Sequence, residues 1–124
     1  MSDNEPPTSP RPVGPYTPVV AAGDWLVCSG QLGLEGGQLV AGGIEAQVGR
    51  CIANLQALLQ GHGAGLGDVV KTTVFLADIG DYAAMNSAYT TAFGSHRPAR
   101  AAFAVAGLPM GALVEIEAWA YRSL

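Results

Sequence analysis

Apolar and polar residues alternate along the segment Leu113–Tyr121, with the two-residue period of a β-strand. One face of this strand is wholly apolar and predicts a core face: Val114, Ile116, Ala118 and Ala120. The other face places two carboxylates among large apolar side chains: Leu113, Glu115, Glu117, Trp119 and Tyr121. Because a solvated face usually carries Lys, Thr or Ser instead, we expect this second face to be buried against another surface, most simply a second copy of the chain.

The segment of residues 101–106 is also short and rich in apolar residues, and Gly107-Leu108-Pro109 separates it from the last strand. The two segments together predict a β-hairpin. If this hairpin pairs in the simplest register, Arg100 lies near Glu115. These charges then have two interpretations, either a surface or interface ion pair or part of a functional site.

Four other short runs have the composition of strands. Residues 19–22 and 25–29 flank the Gly23-Asp24 turn and predict a hairpin. Leu39-Val40 predicts a short return strand after a glycine turn. The β-branched run of residues 68–77 predicts a strand in the middle of the sheet.

Two segments have the period of a helix. From Ile44 to about Gln60, apolar residues form one stripe: Ile44, Val48, Cys51, Ile52, Leu55, Leu58 and Leu59. Three polar residues lie off this stripe: Gln47, Arg50 and Asn54. A second helix is predicted between an N-cap at Asp81 and Gly94, with Tyr82, Met85, Tyr89 and Phe93 at helical spacing.

In order, these elements read β-β-(β)-α-β-α-β-β, which predicts a two-layer α+β domain with a mixed sheet and both helices on one face. We place this single domain at residues 13–124 and expect the polar, Pro-rich residues 1–12 to be a flexible tail. Two helices on one face leave the other sheet face uncovered. The topology by itself therefore also predicts self-association through the sheet.

Composition narrows the class of protein. A chain of 124 residues provides one domain, and 49% hydrophobic against 13% charged residues favours an oligomer that hides part of its surface. With a net charge of -4 and no basic run, neither nucleic acid nor an anionic membrane is an expected partner. No apolar run has transmembrane length and the N-terminus does not resemble a signal peptide, so we expect a cytoplasmic protein.

The residues that often carry chemistry are sparse. Cys28 and Cys51 lack CxxC spacing and are expected to be buried free thiols. His62 and His96 adjoin Gly- or Pro-rich turns without a second ligand at metal spacing, so we expect loop histidines and no metal site. No glycine-rich loop opens a helix and Ser29 lies in no GxSxG turn, so neither a phosphate loop nor a nucleophile elbow is predicted.

Five polar residues precede turns or end strands: Tyr16, Ser29, Asn86, Arg100 and Glu115. Such a set suits a small carboxylate ligand, because a guanidinium binds a carboxylate bidentately and a second carboxylate can position or deprotonate a water. The first three also have structural interpretations. Tyr16 can pack beside Pro15, Ser29 can bond at a strand end, and Asn86 can face solvent.

Several short motifs occur in a fixed order from about Pro12 to the C-terminus. They are Gly14-Pro15-Tyr16, Ser29-Gly30-Gln31, Gln47 with Asn54-Leu55, the run DVVKTTVFL at residues 68–76, Asn86 with Tyr89, Pro98-Ala99-Arg100, Leu108-Pro109 and Val114-Glu115-Ile116-Glu117-Ala118. Each motif is weak alone. Their combination closely resembles the Rid family (reactive intermediate deaminase, also called YjgF).

The resemblance implies a chorismate-mutase-like fold and a homotrimer whose sheets form a central β-barrel, with ligand clefts between subunits. By motif, Arg100 matches the residue that binds the substrate carboxylate, and Glu115 is similar to the residue that positions the attacking water. Other positions match substrate-binding residues of the cleft: Tyr16, Ser29, Gly30, Asn86 and Ala102. The implied reaction is the cofactor-independent hydrolysis of 2-imino acids, such as 2-iminobutanoate and 2-iminopropanoate, to 2-oxo acids and ammonia.

The chain departs from the family after Pro-Ala-Arg, where many deaminases have Ser-Cys-Val and this chain has Ala101-Ala102-Phe103. A cysteine acting through its side chain would be lost, whereas a backbone carbonyl that holds the water would be retained at Ala102. Phe103 is expected to reshape the core side of this strand. Three alternatives stay open: a specialised relative with another substrate, a non-catalytic carboxylate sensor or chaperone, and an RNA-cleaving or translation-inhibiting protein, which the negative net charge disfavours.

Overall fold

The structure is a computed structural model that describes residues 12–123. The predicted tail of residues 1–12 lies outside the described residues, apart from Pro12. The strands are β1 (Val19–Ala22), β2 (Trp25–Leu32), β3 (Leu34–Glu35), β4 (Gln38–Leu39), β5 (Val69–Leu76), β6 (Ala99–Ala104) and β7 (Val114–Tyr121). The helices are α1 (Gly43–Gln60) and α2 (Tyr82–Phe93).

Five strands form one mixed sheet in the order β1-β2-β7-β5-β6. The last strand, β7, lies at its centre and runs antiparallel to both β2 and β5. The β5 and β6 strands pair in parallel, and β3 and β4 form a separate small hairpin. The predicted α+β architecture is therefore confirmed, with a mixed sheet as its scaffold.

The predicted C-terminal hairpin is wrong, because β6 pairs with β5 and not with β7. Strand β5 lies between the other two, with Thr72 opposite Arg100 on one side and Ala118 on the other. Helix α2 carries the chain back along β5, so the next strand runs parallel beside it. Residues 105–113 are thus a crossing connection, with a 3-10 turn at Pro109–Gly111.

Both helices pack on the same face of the sheet. Helix α1 contacts α2 and lies on β2 and β7, while the Tyr89 hydroxyl of α2 lies 2.7 Å from the hydroxyl of Thr72 on β5. The core between the layers is aliphatic, and its largest fully buried side chains include Leu26, Ile52, Leu55, Leu59, Leu76, Met85 and Ile116. Within residues 12–123, no helix combines the length and apolarity that crossing a membrane requires.

Two polar residues of α1 are buried, although they lie off its apolar stripe. The Gln47 side-chain oxygen accepts a hydrogen bond from the Leu113 backbone N–H at 2.9 Å, just before β7. The Asn54 amide donates to the carbonyls of Leu32 and Leu34, at 3.2 and 3.0 Å. A polar side chain can join a helix to neighbouring strands in this way because its hydrogen bonds offset the cost of burial.

The face of the sheet opposite the helices is open and aromatic. Trp25 packs edge-on against Trp119 and Tyr121, with ring centroids 6.2 and 5.1 Å apart, and Trp119 is 44% exposed. Phe103 lies on this face against Phe75 and is 45% exposed. The expectation that Phe103 reshapes the core side of its strand is therefore wrong, because the alternation of β6 turns its side chain away from the helices.

Candidate functional site

A cleft of about 1030 Å³ lies where the end of β2 meets the start of β7. Four of the predicted site residues line it: Tyr16, Ser29, Gly30 and Glu115. The β3–β4 hairpin and the middle of α1 form its other wall, through Glu35, Gly36, Gly37, Arg50 and Asn54. The cleft therefore combines residues from both ends of the chain with a helix.

A bulge in β2 allows Glu115 to reach the cleft. The pairing of β2 with β7 shifts register between Cys28 and Gln31, which spans Ser29 and Gly30. A Cβ on Gly30 would lie 2.0 Å from Oε2 of Glu115, so the carboxyl group can occupy this position because residue 30 is glycine. The glycine of the Ser29-Gly30-Gln31 motif is therefore explained by the close approach of the Glu115 side chain to the backbone of Gly30.

Glu115 has an environment that favours its protonated form. Partial burial raises the pKa of this carboxyl above its usual range, and the neighbouring charge of Glu117 raises it further. Glu117 lines the same cleft two residues along β7. A carboxyl group with a raised pKa holds a proton more readily than an ordinary glutamate does, which suits a group that takes up a proton and returns it.

The two hydroxyl groups at the cleft make local backbone contacts. The Tyr16 hydroxyl accepts a hydrogen bond from the Val13 backbone N–H at 3.2 Å. The Ser29 hydroxyl donates to the Thr17 carbonyl at 2.7 Å. Both hydroxyl groups therefore hold the segment of residues 13–17 beside the cleft. Because the Tyr16 hydroxyl acts as the acceptor in its bond, its own proton is still available to be donated.

Sequence reasoning missed the contribution of α1 to the cleft. Arg50 donates through Nε to the Asn54 side-chain oxygen at 3.1 Å, and its Nη1 lies 3.7 Å from Glu35 Oε2. Asn54 holds the chain on either side of Gly33 through its bonds to β2 and β3. In the sequence, Asn54 stood out only as part of the Asn54-Leu55 motif. That motif did not indicate that the Asn54 side chain is buried.

The other predicted site residues lie elsewhere in the chain. Arg100, on the edge strand β6, points toward α2, where Nη2 donates to the Tyr82 hydroxyl at 3.1 Å. Asn86 lies one turn further along α2, and its buried Oδ1 has no hydrogen-bond partner among the described residues. Ala102 follows on β6 and is partly buried against the core.

The expected proximity of Arg100 and Glu115 is therefore wrong within one chain. Strand β5 separates their strands, and the two residues are offset along it, since Arg100 lies opposite Thr72 and Glu115 opposite Phe75. Arg100 also faces the helix layer, whereas Glu115 lies on the open face. The predicted residues consequently form two half-sites, an acidic one at the cleft and a basic one at the β6 edge.

Neither thiol has the environment of a nucleophile. Burial raises the pKa of Cys28 to about 11, and it raises the pKa of Cys51 still more strongly. Within residues 12–123, no three residues of His, Cys, Asp or Glu come together as a possible metal site. The polar side chains at the cleft and at the β6 edge carry carboxyl, guanidinium, amide and hydroxyl groups.

These features define a class: a two-layer α+β protein with a cleft beside an open sheet face. Comparison with known proteins agrees with this class and gives the family. The family model described as Endoribonuclease L-PSP matches residues 7–122. The chain belongs to this family, which is the Rid/YjgF family.

Individual relatives carry more than one description. A RutC family protein of Pyrococcus abyssi is 43% identical over 116 residues, covering 92% of this chain and 91% of that protein. The 2-iminobutanoate/2-iminopropanoate deaminase of Mus musculus is 44% identical, covering 92% of this chain and 86% of that enzyme. The crystal structure of E. coli TdcF with bound serine is 34% identical, with a TM-score of 0.87 and 94% of each chain covered.

Proposed function

We propose that this protein is a 2-iminobutanoate/2-iminopropanoate deaminase that hydrolyses 2-imino acids to 2-oxo acids and ammonia. The observation that carries the proposal is Glu115, a carboxyl group of raised pKa held in an open cleft against Gly30. The mouse relative named as this deaminase and the serine bound to TdcF support the same ligand class, a small molecule with a carboxylate.

Glu115 acts in this proposal as a base and then as an acid. It takes a proton from a water whose oxygen attacks C2 of the imino acid, so that a C–O bond forms and the C=N bond becomes single. Glu115 returns this proton to the nitrogen to give the carbinolamine. A second proton then passes from the hydroxyl through Glu115 to the nitrogen, and ammonia leaves as the C–N bond breaks and the C=O bond forms. The sum is imino acid plus water giving 2-oxo acid plus ammonia, and no cofactor is needed because the imine carbon is already electrophilic.

Arg100 binds the substrate carboxylate, and this requires a second subunit. Within one chain, Arg100 faces α2 at the β6 edge while Glu115 lies at the cleft, so one small ligand cannot contact both. We therefore propose a homotrimer in which the β6 edge of one subunit meets the cleft of the next. Asn86 and Ala102 accompany Arg100, whereas Tyr16, Ser29 and Gly30 accompany Glu115.

Subunit mixing tests this arrangement directly. The variants Arg100→Ala and Glu115→Gln are each expected to be inactive in an assay that couples an amino acid oxidase to semicarbazide and follows trapping of the released imine. When the two are unfolded together and refolded, an interface can combine Arg100 from one chain with Glu115 from another. Random assembly gives roughly one quarter of the wild-type activity, because each half-site is intact in half of the chains.

Two controls make the result decisive. Each variant refolded alone must stay inactive, and Arg100→Lys, which keeps the charge but not the bidentate geometry, is expected to recover only part of the activity. No recovery in the mixture, with both variants assembled as the wild type is, would contradict a site shared between subunits. No imine hydrolysis by the wild type would contradict the deaminase itself.

The description Endoribonuclease L-PSP suggests RNA cleavage as a second function, and charge argues against it here. The cleft carries Glu35, Glu115 and Glu117 against Arg50, and the whole chain has a net charge of -4. Such a surface repels a phosphate backbone. A carboxylate sensor would need Arg100 but gives no role to Glu115, so the enzyme accounts for more of the structure.

A further inference from the structure

Arg100 is held in one orientation, although it lies on an edge strand where a long side chain could otherwise rotate freely. Its Nη2 donates to the Tyr82 hydroxyl at 3.1 Å, and its Nη1 lies 3.7 Å from Met85 Sδ. The guanidinium carbon lies 5.0 Å from the ring centroid of Tyr89 and 5.7 Å from that of Tyr82. Helix α2 therefore presents an aromatic surface against which the guanidinium packs.

The two tyrosines differ in how they are held. Tyr89 is buried, and its hydroxyl is paired with Thr72 at 2.7 Å, so it cannot also orient the guanidinium through oxygen without changing the core. Tyr82 is 39% exposed and is the first residue of α2. Among the described residues, the Tyr82 hydroxyl is the only oxygen that accepts a hydrogen bond from Arg100.

The helix start fixes the position of Tyr82. A 3-10 turn at Ile79–Asp81 leads directly into α2, and the Asp78 carboxylate accepts the Gly80 backbone N–H at 2.8 Å. This bond caps the 3-10 turn that precedes α2, whereas Asp81, the N-cap residue of α2 itself, makes no side-chain cap bond. The Tyr82 ring is directed over β6, toward Arg100.

A phenol orients a guanidinium without neutralising it. Arginine has five N–H groups, and Nη2 carries two of them, so one bond to Tyr82 leaves donors for a ligand. A carboxylate in the place of Tyr82 would pair with the charge and compete with a carboxylate ligand. The neutral hydroxyl instead fixes the plane of the guanidinium and leaves its charge for the ligand.

We propose that Tyr82 is a positioning residue for Arg100, whose hydroxyl orients the guanidinium to bind the substrate carboxylate. This inference rests on the proposed function, because it assumes that Arg100 binds that carboxylate. It goes beyond that function by assigning a role to a residue outside the motif set, on a different element from Arg100.

The variant Tyr82→Phe tests the hydroxyl while keeping the ring. We expect the KM for a 2-imino acid and the Kd for 2-oxobutanoate to rise roughly tenfold, because an ordered charge-assisted bond is lost. The kcat is expected to change less than twofold, since Glu115 is untouched. Thr91→Val is the matched control: it removes an exposed hydroxyl of the same helix, which donates to the Ser87 carbonyl at 3.1 Å, and it should leave KM and Kd unchanged.

The outcomes separate this inference from the function on which it rests. Unchanged KM and Kd in Tyr82→Phe, with Arg100→Ala inactive, would overturn the role of Tyr82 and leave the deaminase intact. Equal loss of kcat and affinity, together with a lower melting temperature, would instead indicate a structural contact between α2 and β6 and would also overturn it. A wild type that neither hydrolyses imines nor binds 2-oxobutanoate would overturn the proposed function, and the inference with it.

Discussion

At the candidate site, the side chain of Glu115 lies against the backbone of a glycine. Glu115 approaches the backbone of Gly30 so closely that a Cβ there would lie 2.0 Å from Oε2. The β2 bulge creates this approach, because it re-aims the backbone between Cys28 and Gln31. The absence of a side chain at Gly30 therefore allows the Glu115 carboxyl, the proposed base, to take its position.

Gly30→Ala is expected to displace the Glu115 carboxyl and to lower kcat/KM by tenfold or more, because the proposed base loses its position relative to the water. The change is measured in the oxidase-coupled imine assay. Gly67→Ala is a matched control, since a Cβ there meets nothing within 4 Å and its φ is not positive. Full activity in Gly30→Ala would show that the position of Glu115 does not matter for catalysis.

Among the secondary-structure elements, helix α1 both packs in the core and forms hydrogen bonds to three other segments of the chain through buried polar side chains. Its buried Gln47 bonds to the backbone just before β7, and its buried Asn54 bonds to the backbone of β2 and β3. These are the segments that carry Glu115 and the cleft wall. The helix therefore fixes the relative positions of the strands that form the acidic half-site.

Asn54→Ala removes the donor for two carbonyls, those of Leu32 and Leu34, and leaves them without this partner. We expect the free energy of unfolding to fall by about 2–3 kcal/mol, as measured by urea denaturation with an unchanged m-value. Gln56→Ala, at an exposed position of the same helix, should change it by less than about 0.5 kcal/mol. Equal stabilities for the two variants would refute the structural role of Asn54.

At the scale of the molecule, the sheet is covered on one face only. On the open face, Trp25 contacts both Trp119 and Tyr121, and all three side chains are more than a third exposed. An aromatic surface of this kind is typical of an interface between protein chains. It is consistent with the proposed trimer, in which the two half-sites meet between subunits.

Trp119→Glu places a charge at the centre of this face and is expected to dissociate the assembly, because burying an unpaired carboxylate is strongly unfavourable. Light scattering after size exclusion should then give a mass near that of one chain, 12.7 kDa, and imine hydrolysis should be lost with it. Thr91→Glu, on the exposed helix layer, serves as the control and should keep the wild-type mass. A Trp119→Glu variant of wild-type mass would place the interface elsewhere.

Most of the elements, their faces and the family could be predicted from the chain alone, because these depend on local periodicity, turn residues and ordered motifs. The short strand β3 was not predicted. The apolar face of β7, the stripe of α1 and the ends of α2 follow from residues a few positions apart. The two-layer arrangement follows from their order. None of these features requires knowledge of which distant residues meet.

How these elements combine became clear only in the folded chain. The crossover through α2 placed β6 beside β5, so Arg100 was separated from Glu115 and brought to Tyr82. Burial of Gln47 and Asn54 depended on backbone groups of distant strands, which helical periodicity does not encode. Strand pairing and buried polar contacts join residues far apart in the chain, so a local pattern cannot specify them.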